Sequence, residues 1–213
     1  ERRFGKKWLT GETLPVSIGQ GYVLATPIQL AVMTATVANQ GTLFRPHLVK
    51  KVVSPEGKVL REFLPEVIGR AAIRPESWSA VTKGLSAVVN EAGGTGGRAR
   101  LYEVRVAGKT GTSQVVKLRK GGSQYQYRDH ALFVAFAPVE KPEIAVAVVV
   151  EHGEHGGSAA APIAGKILRT YFQGKGVIKK PVPRIKGTPD DSGGTTDSVE
   201  TVEPTDEVQD GND

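Results

Sequence analysis

The sequence predicts an α+β fold, an antiparallel sheet flanked by helices. Two helical patterns come first, opening at Thr26 and at Pro75. Strand-patterned stretches then follow one another between Tyr102 and Val150, and an amphipathic stretch from Ile163 to Phe172 follows them. Helices, then strands in succession, then a helix against the sheet is segregated layering and not βαβ alternation.

In chain order, Leu14–Gly21 (LPVSIGQG) reads as a loop. Thr26 has the chemistry of an N-cap and Pro27 suits a first helical position. Ile28, Ala31, Val32 and Ala35 then keep a 3.6-residue spacing, which Asn39, Gln40 and Gly41 end. Leu48–Val53 and Lys58–Phe63 flank Ser54-Pro55-Glu56-Gly57, the composition of a hairpin turn. The helix from Pro75 aligns Trp78, Val81, Leu85 and Val88, and Gly93–Gly97 reads as a mobile glycine loop after it. A strand is expected from Tyr102 through Gly108–Thr112 to Val115 and Val116. Leu132–Ala137 and Ile144–Val150, joined by Pro138–Glu143, should pair as an antiparallel hairpin. Ile163, Ala164, Ile167, Leu168, Tyr171 and Phe172 form one apolar face of a closing helix.

The 213 residues suffice for one sizeable core, and 39% are hydrophobic. That share ends near Val177. From Thr188 onward the chain holds nine acids (Asp190, Asp191, Asp197, Glu200, Glu203, Asp206, Glu207, Asp210, Asp213) and no Lys or Arg. Such a composition predicts a disordered tail, so the expected division is a folded portion, 1–175, and an acidic tail, 176–213. Without the nine acids, 28 bases face 13 acids, a charge of +15 over residues 1–187. A body this basic suits an anionic partner. The absence of cysteine excludes a disulfide scaffold and a thiolate metal site, and permits either redox compartment. The most apolar run, 131–150, is broken by Pro138, Glu140, Lys141, Pro142 and Glu143, so neither half would cross a bilayer. The chain begins without Met and reads as a fragment, so a membrane anchor is expected upstream.

The sharpest motif is Gly108-Lys109-Thr110-Gly111-Thr112. A phosphate-binding loop would need a glycine at position 103 and a helix after the triplet. The residue there is Glu103, and Gly111 with the β-branched Val115-Val116 makes a poor helix start. The other reading is Lys-Thr-Gly on an exposed strand edge. Lys109 supplies a cation, Thr110 and Thr112 supply hydroxyls, and Gly111 leaves room for a peptide to add to the edge. The Thr112 N–H could then point at a developing oxyanion. This resembles the Lys-Thr-Gly box of serine acyltransferases of the penicillin-binding and β-lactamase type. By itself a three-residue match is weak, and a plain surface strand would read the same. Glu151-His152-Gly153-Glu154-His155 carries metal-ligating types but lacks H-E-x-x-H spacing, so no metal is expected and a solvated loop is. The loop at Gly93–Gly97 lacks the G-x-G-x-x-G of a nucleotide site. Trp8 and Trp78 read as packing residues, and Lys117–Arg128 as a solvated loop, not a nucleic-acid or glycan surface.

A second segment strengthens the reading. Ser17-Ile18-Gly19-Gln20-Gly21, followed by Ala25-Thr26-Pro27-Ile28-Gln29-Leu30-Ala31, resembles the S-I-G-Q-G…T-P-x-Q-x-A stretch of class B penicillin-binding proteins of the elongation type. The order of Asn39-Gln40-Gly41, Pro46-His47, Gly94-Thr95-Gly96, Ala135-Phe136-Ala137-Pro138 and Glu151-His152-Gly153 agrees, so the likeness covers about residues 10–172.

The resemblance implies the C-terminal part of a β-lactamase-like transpeptidase domain. It implies peptidoglycan cross-linking outside the cytoplasmic membrane, in a protein anchored by an upstream segment. A serine would attack the D-Ala–D-Ala bond of a stem peptide and pass the acyl group to an amine, and β-lactams would acylate the same serine. Lys109 would attract the substrate's terminal carboxylate and shape the field at the nucleophile. Thr110 and Thr112 would hydrogen-bond that carboxylate, Thr112 N–H would form half of the oxyanion hole, and Gly111 would keep the edge open. The implied partners are the stem peptide, β-lactams and, through the parent protein, elongation-machinery membrane proteins. No nucleic acid, cofactor or metal is implied. The family uses no histidine base, so His130 beside Asp129 is expected to be structural or solvated. Of the family's three motifs, only K-T-G is present. No serine here, Ser17 through Ser198, has lysine three residues on, and no Ser-x-Asn occurs. The nucleophile is therefore expected outside this chain, and the fragment alone should be inactive. The alternative is a catalytically inactive module of the same fold that binds peptidoglycan peptides. An S-x-x-K upstream would mean enzyme, and its absence would mean binder.

Overall fold

The computed structural model describes residue 5, residues 7–115 and residues 125–179. The segment read as a loop at Leu14–Gly21 is instead a short helix for half its length. A 3₁₀ turn over Thr10–Glu12 leads into α1 (Thr13–Ser17). The Glu12 carboxylate accepts from Leu9 N–H at 2.9 Å and from the Tyr22 hydroxyl at 2.8 Å, which fixes the entry and raises the Tyr22 phenol above its usual pKa. Gly19, at φ 78°, ends the helix. Its N–H reaches Val16 O at 3.0 Å, and Gln20 N–H reaches Pro15 O at 2.8 Å. That pair of bonds is the Schellman C-terminus, with glycine at the left-handed position. Five helical residues are too few for an apolar period to show in the sequence.

α2 (Pro27–Ala38) starts as expected. Thr26 Oγ1 accepts from Gln29 N–H at 3.3 Å, and the Gln29 side chain accepts from Thr26 N–H at 2.8 Å. The helix ends at Asn39, where Gln40 and Gly41 take positive φ. A Cβ on Gly41 would lie 2.8 Å from the Trp78 ring and 2.9 Å from Ala71 O. β1 (Thr42–Phe44) and β4 (Val67–Arg70) then form an antiparallel pair that the sequence reading missed, each strand being too short to show alternation. Between them lies the expected hairpin, trimmed to β2 (Lys51–Val53) and β3 (Val59–Glu62), with Gly57 at φ 85° in its turn.

α3 (Pro75–Asn90) forms as expected, but Val81 is exposed and the fully buried residue is Val89. The main sheet has the order β5-β6-β7: β5 (Ala107–Ser113), β6 (His130–Ala137) and β7 (Ile144–Val150), all antiparallel. The expected strand start at Tyr102 is not observed. Tyr102–Val104 bends, Tyr102 is exposed, and the bend turns Leu101 and Val104 inward. Val115 lies in a bend beyond β5, while Val116 lies outside the described residues.

One face of β6 (Ala131, Phe133, Ala135, Ala137) has no exposure and packs with Val146 of β7 in the core. α4 (Ala161–Gly174) covers it, entering through a π-helical turn at Gly156–Ala160. The buried row of α4 is Ala161, Ala164, Gly165, Leu168 and Phe172. Ile163 and Ile167, placed in the face by their spacing, are 42% and 43% exposed. The seam rotates toward the small residues because the 97–99 turn comes so close. A Cβ on Gly165 would lie 3.0 Å from Arg98 O. Ile178, beyond the boundary expected at 175, is buried with these residues, and its N–H reaches Phe172 O at 3.3 Å. The acidic stretch from Thr188 lies outside the described residues.

Candidate active site

Lys109 sits in the middle of β5 and not at a helix N-terminus, which removes the phosphate-loop reading. Among the described residues β5 is an edge strand, paired only with β6. Lys109 lies opposite Val134, Thr110 opposite Phe133, Gly111 opposite Leu132 and Thr112 opposite Ala131. Side chains alternate along a strand, so Lys109 and Gly111 share one sheet face, and Thr110 and Thr112 share the other.

In an antiparallel ladder, the N–H and C=O of one residue point to the same side. Three side chains show which side is outward. Asn90 Nδ2 donates to Val106 O at 2.7 Å, Lys109 Nζ to Thr110 O at 2.9 Å, and Gln20 Nε2 to Thr112 O at 2.7 Å. Residues 106, 110 and 112 thus turn their peptide groups away from β6, and Thr112 N–H lies on the outer edge. Lys109 itself is exposed.

The glycine loop expected to be mobile is pinned at the rim of this edge. Gly96 N–H donates to Val88 O at 2.9 Å, and a Cβ on Gly94 would meet Val88 O at 2.3 Å. Thr95 Oγ1 lies 2.9 Å from Thr110 Oγ1. On the same strand, the π-helical turn presses its backbone down. A Cβ on Gly156 would stand 2.2 Å from Leu132 O and 2.6 Å from Gly111 O, and one on Gly157 would stand 2.5 Å from Thr95 O. Only residues without side chains allow these approaches.

The Glu151–His155 segment is better tied down than a solvated loop. His152 N–H donates to His130 Nδ1 at 3.0 Å, His152 Nδ1 lies 3.1 Å from Arg128 O, and the two imidazoles meet edge to face. Glu154 N–H reaches Asp129 O at 2.9 Å, and its carboxylate pairs with Arg128 at 3.5 Å. These contacts hold His152 at φ 56° and Glu154 at φ 61°, conformations that cost a non-glycine residue energy. His130 thus takes part in holding this segment through its Nδ1. Among the described residues, no group of three or more His, Asp or Glu could hold a metal.

The structure therefore joins Lys109–Thr112 to groups that the sequence reading gave no role: Gln20, Thr95, Gly156 and Gly157. Gln20 stood inside a quoted motif, but no spacing rule links it to a strand 92 positions away.

The fold around this edge strand matches a known class. Residues 1–169 match the penicillin binding protein transpeptidase domain, and the chain belongs to that family. Among named relatives, it is 38% identical over 181 residues to the peptidoglycan D,D-transpeptidase MrdA of Haemophilus influenzae, covering 81% of this chain and 27% of that protein. Among solved structures, it resembles Pseudomonas aeruginosa PBP2 in complex with WCK 5153, with a TM-score of 0.64 and 41% identity, over 80% of this chain and 34% of that one. It also resembles PBP2 in its complex with MreC from Helicobacter pylori, with a TM-score of 0.63 and 30% identity, over 82% of this chain and 30% of that one. The chain thus spans about a quarter to a third of the length of these proteins.

Proposed function

We propose that this chain is the C-terminal portion of a serine-type peptidoglycan D,D-transpeptidase, and that its nucleophile lies outside these 213 residues. The observation that carries the reading is β5, an edge strand among the described residues, with exposed Lys109 on one face, half-buried Thr110 and Thr112 on the other, and Thr112 N–H on its outer edge.

In the full-length protein, a serine Oγ attacks the carbonyl of the penultimate D-Ala, terminal D-Ala leaves as the amine, and an amine of a second strand takes the acyl group. Lys109 holds the terminal carboxylate by charge, with Thr110 and Thr112 as hydroxyl donors. Thr112 N–H donates to the oxygen as it becomes an oxyanion, where a donor is worth most. Gly111 leaves the edge clear. β-Lactams acylate the same serine. The chemistry needs no metal or organic cofactor. We assign the protein to the extracytoplasmic face of the membrane, anchored upstream. Among the described residues, no helix is long and apolar enough to cross a bilayer. We further assign it to elongation-machinery membrane proteins as partners, a reading supported by the similar PBP2 whose structure is a complex with MreC.

The test of the site is Lys109→Ala in the full-length protein. Loss of a charge-assisted contact worth about 1.5–3 kcal/mol slows penicillin acylation by roughly 10–150-fold. Lys109 is exposed, so the melting temperature should hold. An unchanged acylation rate would contradict the role.

A further inference from the structure

The carbonyls along the outer edge of β5 are not all free. Side-chain donors already occupy the carbonyls of Val106, Thr110 and Thr112. Asn90 belongs to α3 and Lys109 to β5 itself. Gln20 is different, because it arrives from a separate loop and lands on the residue whose N–H faces the reacting carbonyl in the function proposed above.

That loop is built to deliver it. Gly19 closes α1 in the left-handed conformation, and Gln20 N–H is anchored on Pro15 O at 2.8 Å. Gly21 follows at φ 67°, where a Cβ would touch Pro15 at 3.4 Å. Gln20 is therefore held by its backbone on one side and by Thr112 on the other, at 2.7 Å through Nε2.

We propose that Gln20 is a specificity-determining residue that competes for the Thr112 carbonyl. An extended acyl donor adding to β5 needs two bonds at this rung. Its own acceptor takes Thr112 N–H, and its amide N–H seeks Thr112 O. Gln20 leaves the first bond available and engages the second. The edge becomes a strip rich in donors, suited to carboxylates and oxyanions, and a ligand amide N–H must share or displace the Gln20 amide. A bare edge would take any extended chain, including that of another protein, so the cap also narrows what can pair there. The inference rests on the transpeptidase reading and adds to it the residue that weighs one acyl donor against another.

The experiment compares two β-lactams on the full-length protein. Benzylpenicillin carries an acylamino N–H, whereas imipenem has none. The readout is the ratio of their second-order acylation rate constants, which cancels differences in the fraction of active protein. Gln20→Ala and Gln20→Met both remove the donor, and Met keeps the side-chain length. Releasing one competing hydrogen bond should raise the benzylpenicillin-to-imipenem ratio by about 2–10-fold in both variants. A ratio that stays within about 1.5-fold of wild type, or that falls, overturns the proposal. If wild-type protein takes up neither compound, the transpeptidase reading itself fails, and that result is distinct from an unmoved ratio.

Discussion

Replacing Gly156 by alanine tests how the loop after β7 is seated on the candidate site. The added Cβ would stand 2.2 Å from Leu132 O and 2.6 Å from Gly111 O, both backbone atoms of the main sheet. A carbon needs roughly 3.3–3.6 Å from a carbonyl oxygen, so the loop or the strand must give way by about 1 Å. Neither partner is the end of a flexible side chain, so the strain falls on β5, β6 and the π-helical turn. Overpacking of this kind costs about 1–3 kcal/mol. The full-length protein should therefore melt at a lower temperature, by a few degrees at most. Acylation by penicillin should slow as well, because the displaced atoms flank Gly111 and Thr112. Gly84→Ala is the control. Gly84 lies inside α3, is exposed, and has nothing within 4 Å of an added Cβ. It should stabilise by about 0.5–1 kcal/mol and leave acylation alone. Calorimetry and stopped-flow acylation on both variants decide the matter. A Gly156→Ala protein that melts and acylates like wild type would refute the seating described here.

Two further outcomes follow from the core and the site. Phe172→Ala removes a ring that is 1% exposed beneath β6, and should cost about 3–5 kcal/mol in urea unfolding of the full-length protein. A loss below about 1 kcal/mol would mean that α4 is not the cover of the sheet. The 213-residue chain by itself should form no covalent penicillin adduct, since none of its serines has the lysine spacing that would activate it. A stoichiometric fluorescent band after denaturation would show an active serine within the chain.

The elements with long, regular patterns were legible in the sequence. α2 was marked at both ends by Thr26, Pro27 and Gly41, and β6 and β7 by apolar runs around a proline-containing turn. Short elements were not. α1 is five residues held by a C-terminal motif, and β1 and β4 are three and four residues that pair across the hairpin between them. Tyr102–Val106 has strand composition, but it bends so that Leu101 and Val104 are buried. The closing helix was found, yet its buried face was set by the small residues Ala161, Ala164 and Gly165, whose role is close approach and which hydrophobic spacing ranks below Ile163 and Ile167. The site followed the same division. Lys109–Thr112 carried a local motif. Gln20, Thr95 and Gly156 meet it through the fold, and local chemistry does not show which strand a distant glutamine will reach.

The central claim is that these residues form the Lys-Thr-Gly side of an acyl-transfer site whose nucleophile is elsewhere in the same protein. Labelling the full-length protein with benzylpenicillin, digesting it and locating the adduct by mass spectrometry tests this directly. The account predicts a single penicilloyl group on a serine outside residues 1–213, and greatly slowed labelling in Lys109→Ala. An adduct on any serine from Ser17 to Ser198, or labelling that ignores Lys109, would contradict it.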